Sequence, residues 1–191
     1  IKVGIIGAGG IAGLYQNGNE DSNLTHIKSL RSFKNIKIIG IADNNTSNLN
    51  KFSKRWSIKK LYTNYKNLVN NHEIDILFIA TPVDTHLDIL KSLNKFKIKK
   101  IFCEKPFLLK SSDFTKIKPV IKNKIILINY FRRWNKDLQN LKKDITMQKY
   151  GKINKVNFYY TKSLLNNGLH MVDICLFFFG IPNKIKTIKK Y

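Results

Sequence analysis

Five short apolar segments, separated by stretches with helical spacing, do most to limit how this chain can fold. The segments are rich in Ile, Val and Phe, which is typical of strands buried on both faces of a parallel sheet. Several of the intervening stretches begin with Ser, Thr or Asp, as helices do. Strands that alternate with helices predict an α/β fold built on a doubly wound parallel sheet. The predicted strands are residues 2–7, 36–42, 74–80, 99–103 and 124–130.

Composition places this chain among folded proteins rather than disordered or membrane-spanning ones. Of its 191 residues, 43% are apolar and 12% aromatic, which is enough to fill a core. Its apolar runs are shorter than the roughly 18 residues that a membrane helix needs, so we expect no membrane partner. Cys103 and Cys175 lie in apolar segments, which favours buried thiols in a reducing compartment. The given sequence begins with a predicted strand rather than a signal peptide. Together with the buried thiols, this strand predicts a cytoplasmic protein.

A large excess of basic residues raises the question of a nucleic-acid partner. Lys and Arg number 35 against 12 Asp and Glu, which gives a net charge of +23. Such an excess attracts phosphate backbones. However, the cations are almost all lysine and are scattered along the chain, as on a solvated surface. We therefore expect no specific nucleic-acid partner, although the charge predicts non-specific adhesion to polyanions and a polyanion binder stays as an alternative.

A glycine-rich turn follows the first predicted strand. Residues 7–12, Gly-Ala-Gly-Gly-Ile-Ala, fit the dinucleotide-binding pattern G-x-G-x-x-[G/A]. The first glycine permits a tight turn, the second lets the backbone approach a pyrophosphate, and the final alanine keeps the following helix close to the strand. The N-terminus of that helix offers N–H groups to the phosphates. The predicted cofactor contacts here are Gly7, Gly9, Gly10 and Ile11, and a strand-to-helix turn without a ligand is the alternative.

Asp43, at the end of the second predicted strand, indicates which dinucleotide binds. A carboxylate there accepts hydrogen bonds from the adenosine ribose hydroxyls and repels a 2′-phosphate, so NAD is expected and NADP is less favoured. Asp43 lies farther from the glycine turn than the usual distance of about 20 residues. A polar insertion over residues 14–24 explains the difference.

The pattern changes near residue 129, where we place a domain boundary. Residues 131–151 predict one long amphipathic helix that ends at Gly151, and residues 152–162 alternate like a half-exposed antiparallel strand. Residues 168–179 predict a buried helix that Gly180 ends, and another strand begins at residue 184. The chain therefore divides into a dinucleotide-binding Rossmann domain, 1–128, and the beginning of an incomplete α+β substrate and oligomerisation domain, 129–191.

Four motifs in sequence order resemble the glucose–fructose oxidoreductase/inositol dehydrogenase (Gfo/Idh/MocA) family. The resemblance covers the whole chain and implies NAD(P)-dependent hydride transfer at a hydroxyl or keto group of a sugar, polyol or nucleotide-sugar. It also implies that the Lys105–Pro106 peptide bond is cis. The motifs are Thr81-Pro82 after a strand, Glu104-Lys105-Pro106 after the next, N-Y-x-R-R at Asn129 to Arg133, and G-x-H-x-x-D at Gly168 to Asp173.

The resemblance also implies roles for individual residues. Lys105 would stabilise alkoxide character and contact the cofactor, and His170 would carry the proton. Asn166 stands where many members have Asp, and its amide cannot stabilise an imidazolium by charge, which puts the usual proton relay in question. The other implied contacts are Thr81, Pro82, His86 and Glu104 with the cofactor, and Arg133 and Asp173 with the substrate; no metal is implied.

Ordinary structural roles remain open for four of these residues. Lys105 could be a surface lysine, His86 a helix-surface histidine, and Arg133 part of a basic helix start. His170 could be a core histidine bonded to Asp173, whose carboxylate would orient the imidazole in either case.

A complete family member adds a second domain, which on general domain sizes is about 150 residues. Because residues 129–191 hold only its beginning, we expect a piece of a longer protein that forms homo-oligomers at full length. The isolated chain is expected to bind NADH with little turnover. A dinucleotide-binding protein without turnover, either a regulator or a truncated remnant, is the alternative function.

Overall fold

The computed structural model describes residues 1–15 and 25–186. Its internal contacts divide the chain into two compact units, Ile1–Asn129 and Tyr130–Tyr191. The predicted insertion at residues 14–24 lies outside the described residues apart from Leu14 and Tyr15.

A parallel sheet forms the centre of the first unit. Within the described residues it has six strands in the order β3-β2-β1-β4-β5-β6, all paired in parallel. This confirms the predicted doubly wound α/β fold. The two-residue β3 was missed because it is too short to show a periodic pattern. The strands are β1 Lys2–Ile6, β2 Lys37–Ala42, β3 Leu61–Tyr62, β4 Ile76–Ile79, β5 Lys100–Cys103 and β6 Ile125–Ile128.

Helices cover both faces of this sheet. Alternate strand residues point to opposite faces, so Val3 and Ile5 join one buried cluster while Leu77 and Ile79 join the other. The first cluster includes Phe52, which is fully buried, and the second includes residues of the helices after β3, β4 and β5. The helices of this unit are α1 His26–Arg31, α2 Thr46–Trp56, α3 Tyr65–Asn71, α4 His86–Ser92 and α5 Ser111–Ile121.

The helix expected directly after the glycine turn is only one turn long. It spans Gly10–Leu14, and Gly13 already has an extended φ of 177°. A Cβ on Gly13 would lie 2.6 Å from the Phe52 ring and 2.7 Å from Nε1 of Trp56. The backbone therefore approaches α2 closely here, and the Trp56 indole N–H donates to the Gly13 carbonyl at 2.9 Å.

The second unit differs from its sequence prediction in two ways. The helix predicted over 131–151 is a short turn, Phe131–Trp134, followed by α6, Lys136–Thr146, because Asn135 is extended and caps α6 through Leu138 N. Residues 152–162 are not a strand, and neither are 184–186, while 187–191 lie outside the described residues. A strand needs a paired neighbour, and an isolated pair is marginal.

A helix occupies most of the predicted 168–179 segment. This helix, α7, spans Leu169–Phe179 and ends at Gly180, whose φ of +80° favours glycine. It is buried on one side, at His170, Asp173 and Ile174, while Val172 is 45% exposed and Phe179 is 43% exposed. One face of α7 is therefore apolar and in contact with solvent.

Candidate functional site

A cavity of the first unit lies where its strands end. A cavity of about 730 Å³ opens at the carboxyl ends of β1, β2 and β4. The chain reverses its direction of strand addition between β1 and β4, and open parallel sheets bind ligands at such a switch point. The residues that line it include Gly7, Gly9, Asp43, Asn45, Thr81, Pro82, Asp84 and Asp88.

Two glycines of the turn after β1 have different steric surroundings. Gly7 has a φ of +98°, and a Cβ there would lie 2.4 Å from the Ala80 carbonyl oxygen. At Gly9, a Cβ would meet nothing within 4 Å, and φ is −82°. Gly7 is therefore required by the protein itself, whereas the open space beside Gly9 is where a ligand can approach the backbone.

Asp43 connects the end of β2 to the glycine turn. One carboxylate oxygen accepts from Ala8 N at 2.6 Å and the other from Asn45 N at 2.8 Å. The carboxylate is half-buried at the cavity wall. Since each carboxylate oxygen has a further lone pair, Asp43 can hold the turn and still accept from a ribose hydroxyl.

His86 is fully buried at the start of α4, which excludes a helix-surface position. Its Nε2 lies 3.0 Å from the Thr81 carbonyl oxygen, and its Nδ1 lies 3.1 Å from the Phe107 carbonyl oxygen. The imidazole therefore bridges the segments that follow β4 and β5. Thr81 is hydrogen-bonded to Thr85 through their hydroxyls at 2.7 Å, which further fixes the cavity rim.

Glu104 follows β5 directly, and its carboxylate is buried among polar donors. Oε1 lies 2.8 Å from His26 Nε2 and 2.7 Å from Asn129 Nδ2, and Oε2 accepts from Lys105 N at 3.2 Å. Burial raises the pKa of Glu104, but the hydrogen bonds from His26 and Asn129, together with the His26 charge and the Lys105 N–H, bring the pKa below its usual value. His26 was not among the sequence candidates, because 78 residues separate it from Glu104.

Lys105 is half-buried beyond the end of β5, and its peptide bond to Pro106 is cis, as the family resemblance implied. Lys105 lies on the same edge of the sheet as the glycine turn because all the strands run parallel. β5 lies beside β4, whose end forms part of the cavity wall. Lys105 is thus placed one strand beyond the cavity rim.

Cys103 gives a direct test of how closed this end of β5 is. The thiol is fully buried and 3.6 Å from His86 Nδ1, and burial raises its pKa to about 12. We expect iodoacetamide to modify the half-buried Cys175 in the native protein and Cys103 only after unfolding. Peptide mass spectrometry would follow both sites, and comparable native rates at the two would contradict this.

The predicted substrate residues of the second unit are paired with each other. Arg133 Nε lies 2.9 and 2.8 Å from the two carboxylate oxygens of Asp173, which is buried on α7. Hydrogen bonding to Asp173 raises the pKa of Arg133. The pKa of Tyr130 is also raised, mainly by burial and to a smaller extent by the negative charge of Asp173. The predicted substrate contacts Arg133 and Asp173 thus form a fixed ion pair.

His170 lies at the start of α7 in the same unit. It is buried, with its ring edge-on to Phe131 at 5.2 Å and to Tyr130 at 6.1 Å between ring centroids. Asn166 lies in the preceding turn, Leu164–Gly168, with an exposed side chain, and its N–H donates to the Ser163 carbonyl at 3.1 Å.

The first unit provides what a dinucleotide requires. The cavity has the volume of a small-molecule site, the backbone is open at Gly9, and three carboxylates, from Asp43, Asp84 and Asp88, line the wall. Among residues 1–15 and 25–186, no group of three or more His, Cys, Asp or Glu is arranged to hold a metal ion. In the same described part, no helix combines the length and apolarity that crossing a membrane requires.

Comparison with known proteins agrees with this geometry. The model of the GFO_IDH_MocA family, an oxidoreductase family with an NAD-binding Rossmann fold, matches residues 1–128. Glucose-6-phosphate 3-dehydrogenase of Bacillus subtilis is 33% identical over 109 residues, which is 56% of this chain and 27% of that protein. Inositol 2-dehydrogenase of Salmonella typhimurium is 24% identical over 157 residues, or 79% of this chain and 43% of that protein.

A solved structure shares the fold at low identity. Scyllo-inositol dehydrogenase from Lactobacillus casei, crystallised with NAD(H) and scyllo-inositol, superposes with a TM-score of 0.70 and 19% identity. The match covers 94% of this chain and 56% of that one. The chain therefore spans about half or less of the length of these relatives.

Proposed function

This chain belongs to the GFO_IDH_MocA family of NAD-binding oxidoreductases, and from that membership we propose that it transfers hydride between nicotinamide and a sugar, polyol or nucleotide-sugar in the cytoplasm. The observation that carries the proposal is the cavity at the switch point, which is lined by Asp43 and by Gly9, beside whose backbone there is free space. The named dehydrogenases among its relatives act on an inositol or on glucose 6-phosphate, which supports the substrate class.

The residues of the first unit would hold the cofactor in two halves. The free space beside Gly9 would let the pyrophosphate approach the backbone, and Asp43 would accept a hydrogen bond from the adenosine ribose. Thr81 and Pro82 line the wall toward β4, so these residues would contact the nicotinamide half on the side of β4 and β5. Bound nicotinamide supplies the hydride acceptor or donor.

The remaining groups act on the substrate. In the oxidative direction the substrate carbon loses a hydride to nicotinamide while its hydroxyl loses a proton to a base. We assign the proton to His170 and stabilisation of the developing alkoxide to the Lys105 ammonium. Asn166 is assigned a hydrogen bond to a substrate hydroxyl. Arg133 and Asp173, which form an ion pair with each other, are assigned contacts with the substrate.

Two measurements test this function. NADH fluorescence titration of this chain tests cofactor binding. NADH formation from NAD⁺ by the full-length protein, across a panel of polyols, sugars, sugar phosphates and nucleotide-sugars, tests the substrate class. NADH binding together with turnover of a panel member supports the oxidoreductase. NADH binding without turnover favours a dinucleotide-binding protein. If the protein shows no binding and no turnover, both functions are excluded.

The carboxylates in the cavity predict a preference for NADH over NADPH. Asp43 faces the adenosine side, and a 2′-phosphate there would meet its negative charge at short range. We expect NADH to bind at least about tenfold more tightly, and Asp43→Ala to weaken NADH binding by about 1–3 kcal/mol. Fluorescence titration with both cofactors measures this.

A matched variant controls for loss of one negative charge. Asp137→Ala removes a carboxylate from α6 in the second unit and should leave both dissociation constants unchanged. Equal affinities of the wild-type protein for NADH and NADPH would rule out the preference.

A further inference from the structure

A buried carboxylate joins three separate parts of the first unit. Glu104 is 9% exposed, and its donors come from α1, from the residue after β6, and from its own next residue. Its backbone N–H donates to the Ile79 carbonyl at 2.9 Å, which continues the sheet beyond β5. The Asn129 N–H likewise donates to the Cys103 carbonyl at 2.8 Å. The sheet therefore fixes the backbone of Glu104 and of Asn129, from which the carboxylate and the amide that binds it extend.

His26 binds the same carboxylate oxygen of Glu104, Oε1, as Asn129, and aromatic contacts hold its ring in place. It is 8% exposed, and its ring lies edge-on to Phe78 at 5.3 Å and to Phe102 at 5.4 Å between centroids. Those two phenyl rings stack on each other at 4.6 Å. Since a carboxylate only accepts, His26 Nε2 must carry the proton of this hydrogen bond. The imidazole has little freedom to turn away.

The position of Glu104 gives these contacts a consequence for Lys105. Oε2 binds the Lys105 N–H, so the carboxylate fixes the peptide that precedes the Lys105 side chain. Loss of the His26 donor would leave Glu104 buried with an incomplete shell, and the carboxylate would move to recover its hydrogen bonds. Such a movement displaces Lys105, while the glycine turn and Asp43 keep their own contacts.

We propose that His26, acting through Glu104 and together with Asn129, is a positioning residue that aims Lys105 at the nicotinamide half of the bound cofactor. The proposal rests on the proposed function, because it takes Lys105 and β5 to border the nicotinamide. It assigns a purpose to a histidine that follows the insertion and lies outside every motif in the sequence.

The test compares two ligands that differ in the nicotinamide. NADH carries both halves of the dinucleotide, whereas ADP-ribose lacks the nicotinamide ring, and calorimetry measures both affinities. We expect His26→Leu to weaken NADH binding about tenfold, while the dissociation constant for ADP-ribose stays within about twofold of the wild-type value. His26→Gln keeps an N–H donor and should recover most of the NADH affinity. Asn129→Ala removes the second donor and should show the same selective loss.

Controls separate positioning from general destabilisation. His72→Leu removes another histidine hydrogen bond, to Tyr62 OH at 2.7 Å, and should lower the melting temperature without changing the NADH to ADP-ribose ratio. If His26→Leu does not fold, Asn129→Ala tests the selective loss of NADH affinity, and His26→Gln tests whether an N–H donor at this position preserves that affinity. Equal weakening of both ligands, or no change in either, would overturn the proposal. Failure of the wild-type protein to bind NADH would instead overturn the proposed function.

Discussion

Gly7→Ala is expected to lower the free energy of unfolding by about 2–5 kcal/mol. The backbone at Gly7 has a φ of +98°, a region that costs an L-residue with a Cβ roughly 1–2 kcal/mol. The new Cβ would also lie 2.4 Å from the Ala80 carbonyl oxygen, which is backbone and cannot rotate away. Strands β1 and β4 would have to separate where they form the cavity. Chemical denaturation measures the loss of stability, and NADH titration of the same sample measures the accompanying loss of cofactor affinity.

Gly9→Ala is the matched variant, with the opposite distribution of effects. Its φ of −82° suits alanine, and the added Cβ meets nothing within 4 Å, so stability should change by less than about 0.5 kcal/mol. The methyl group would occupy the space through which a pyrophosphate approaches the backbone, so NADH affinity should fall. A Gly9→Ala protein that binds NADH as the wild type does would place the phosphates elsewhere.

These two glycines illustrate what the sequence could and could not predict. The turn pattern predicted both as cofactor contacts, because a motif records that small residues are needed and not why. The structure distinguishes Gly7, where the neighbouring strand leaves no room for a Cβ, from Gly9, where a Cβ would have free space. The central strands were predictable because burial on both faces leaves an apolar run that can be recognised without knowledge of their neighbours.

Features that depend on distant partners were beyond the sequence. The strand predicted at 152–162 alternates well, but alternation does not supply a strand to pair with. His26 has no local pattern that marks it, since its hydrogen-bond partner lies 78 residues away. His86 was predicted near the cofactor, and the structure shows it buried, in contact with the segments that follow β4 and β5. For such residues, contact geometry and not residue type carries the information.

The charge distribution gives a further example. The sequence has 35 basic and 12 acidic residues, and three of those acids line the cavity. The cavity wall therefore carries negative charge in a strongly basic protein. This arrangement favours a ligand whose hydroxyl groups donate to carboxylates, as a ribose does, over a polyanion.

Loss of the Glu104 carboxylate is the second large effect that we expect. Glu104→Ala leaves two buried donors, on His26 and Asn129, without their acceptor and should cost about 3–5 kcal/mol of unfolding free energy. Glu104→Gln keeps the shape and one acceptor oxygen, but turns an amide N–H₂ toward a donor, and should cost about 1–3 kcal/mol. Denaturant titration at neutral pH ranks the three proteins.

Acid provides the sharper form of this experiment, because the sign of the effect follows from the pKa. The pKa of Glu104 in the folded protein lies below its ordinary value of 4.5. Its ionised form therefore contributes stability that is complete at neutral pH and is lost as the pH falls below 4.5 through the folded pKa. The difference in unfolding free energy between the wild type and Glu104→Gln should therefore decrease over that pH range, because Gln does not titrate. A gap that stays constant from pH 7 to pH 3 would mean that the carboxylate charge is not what holds His26 and Asn129 in place.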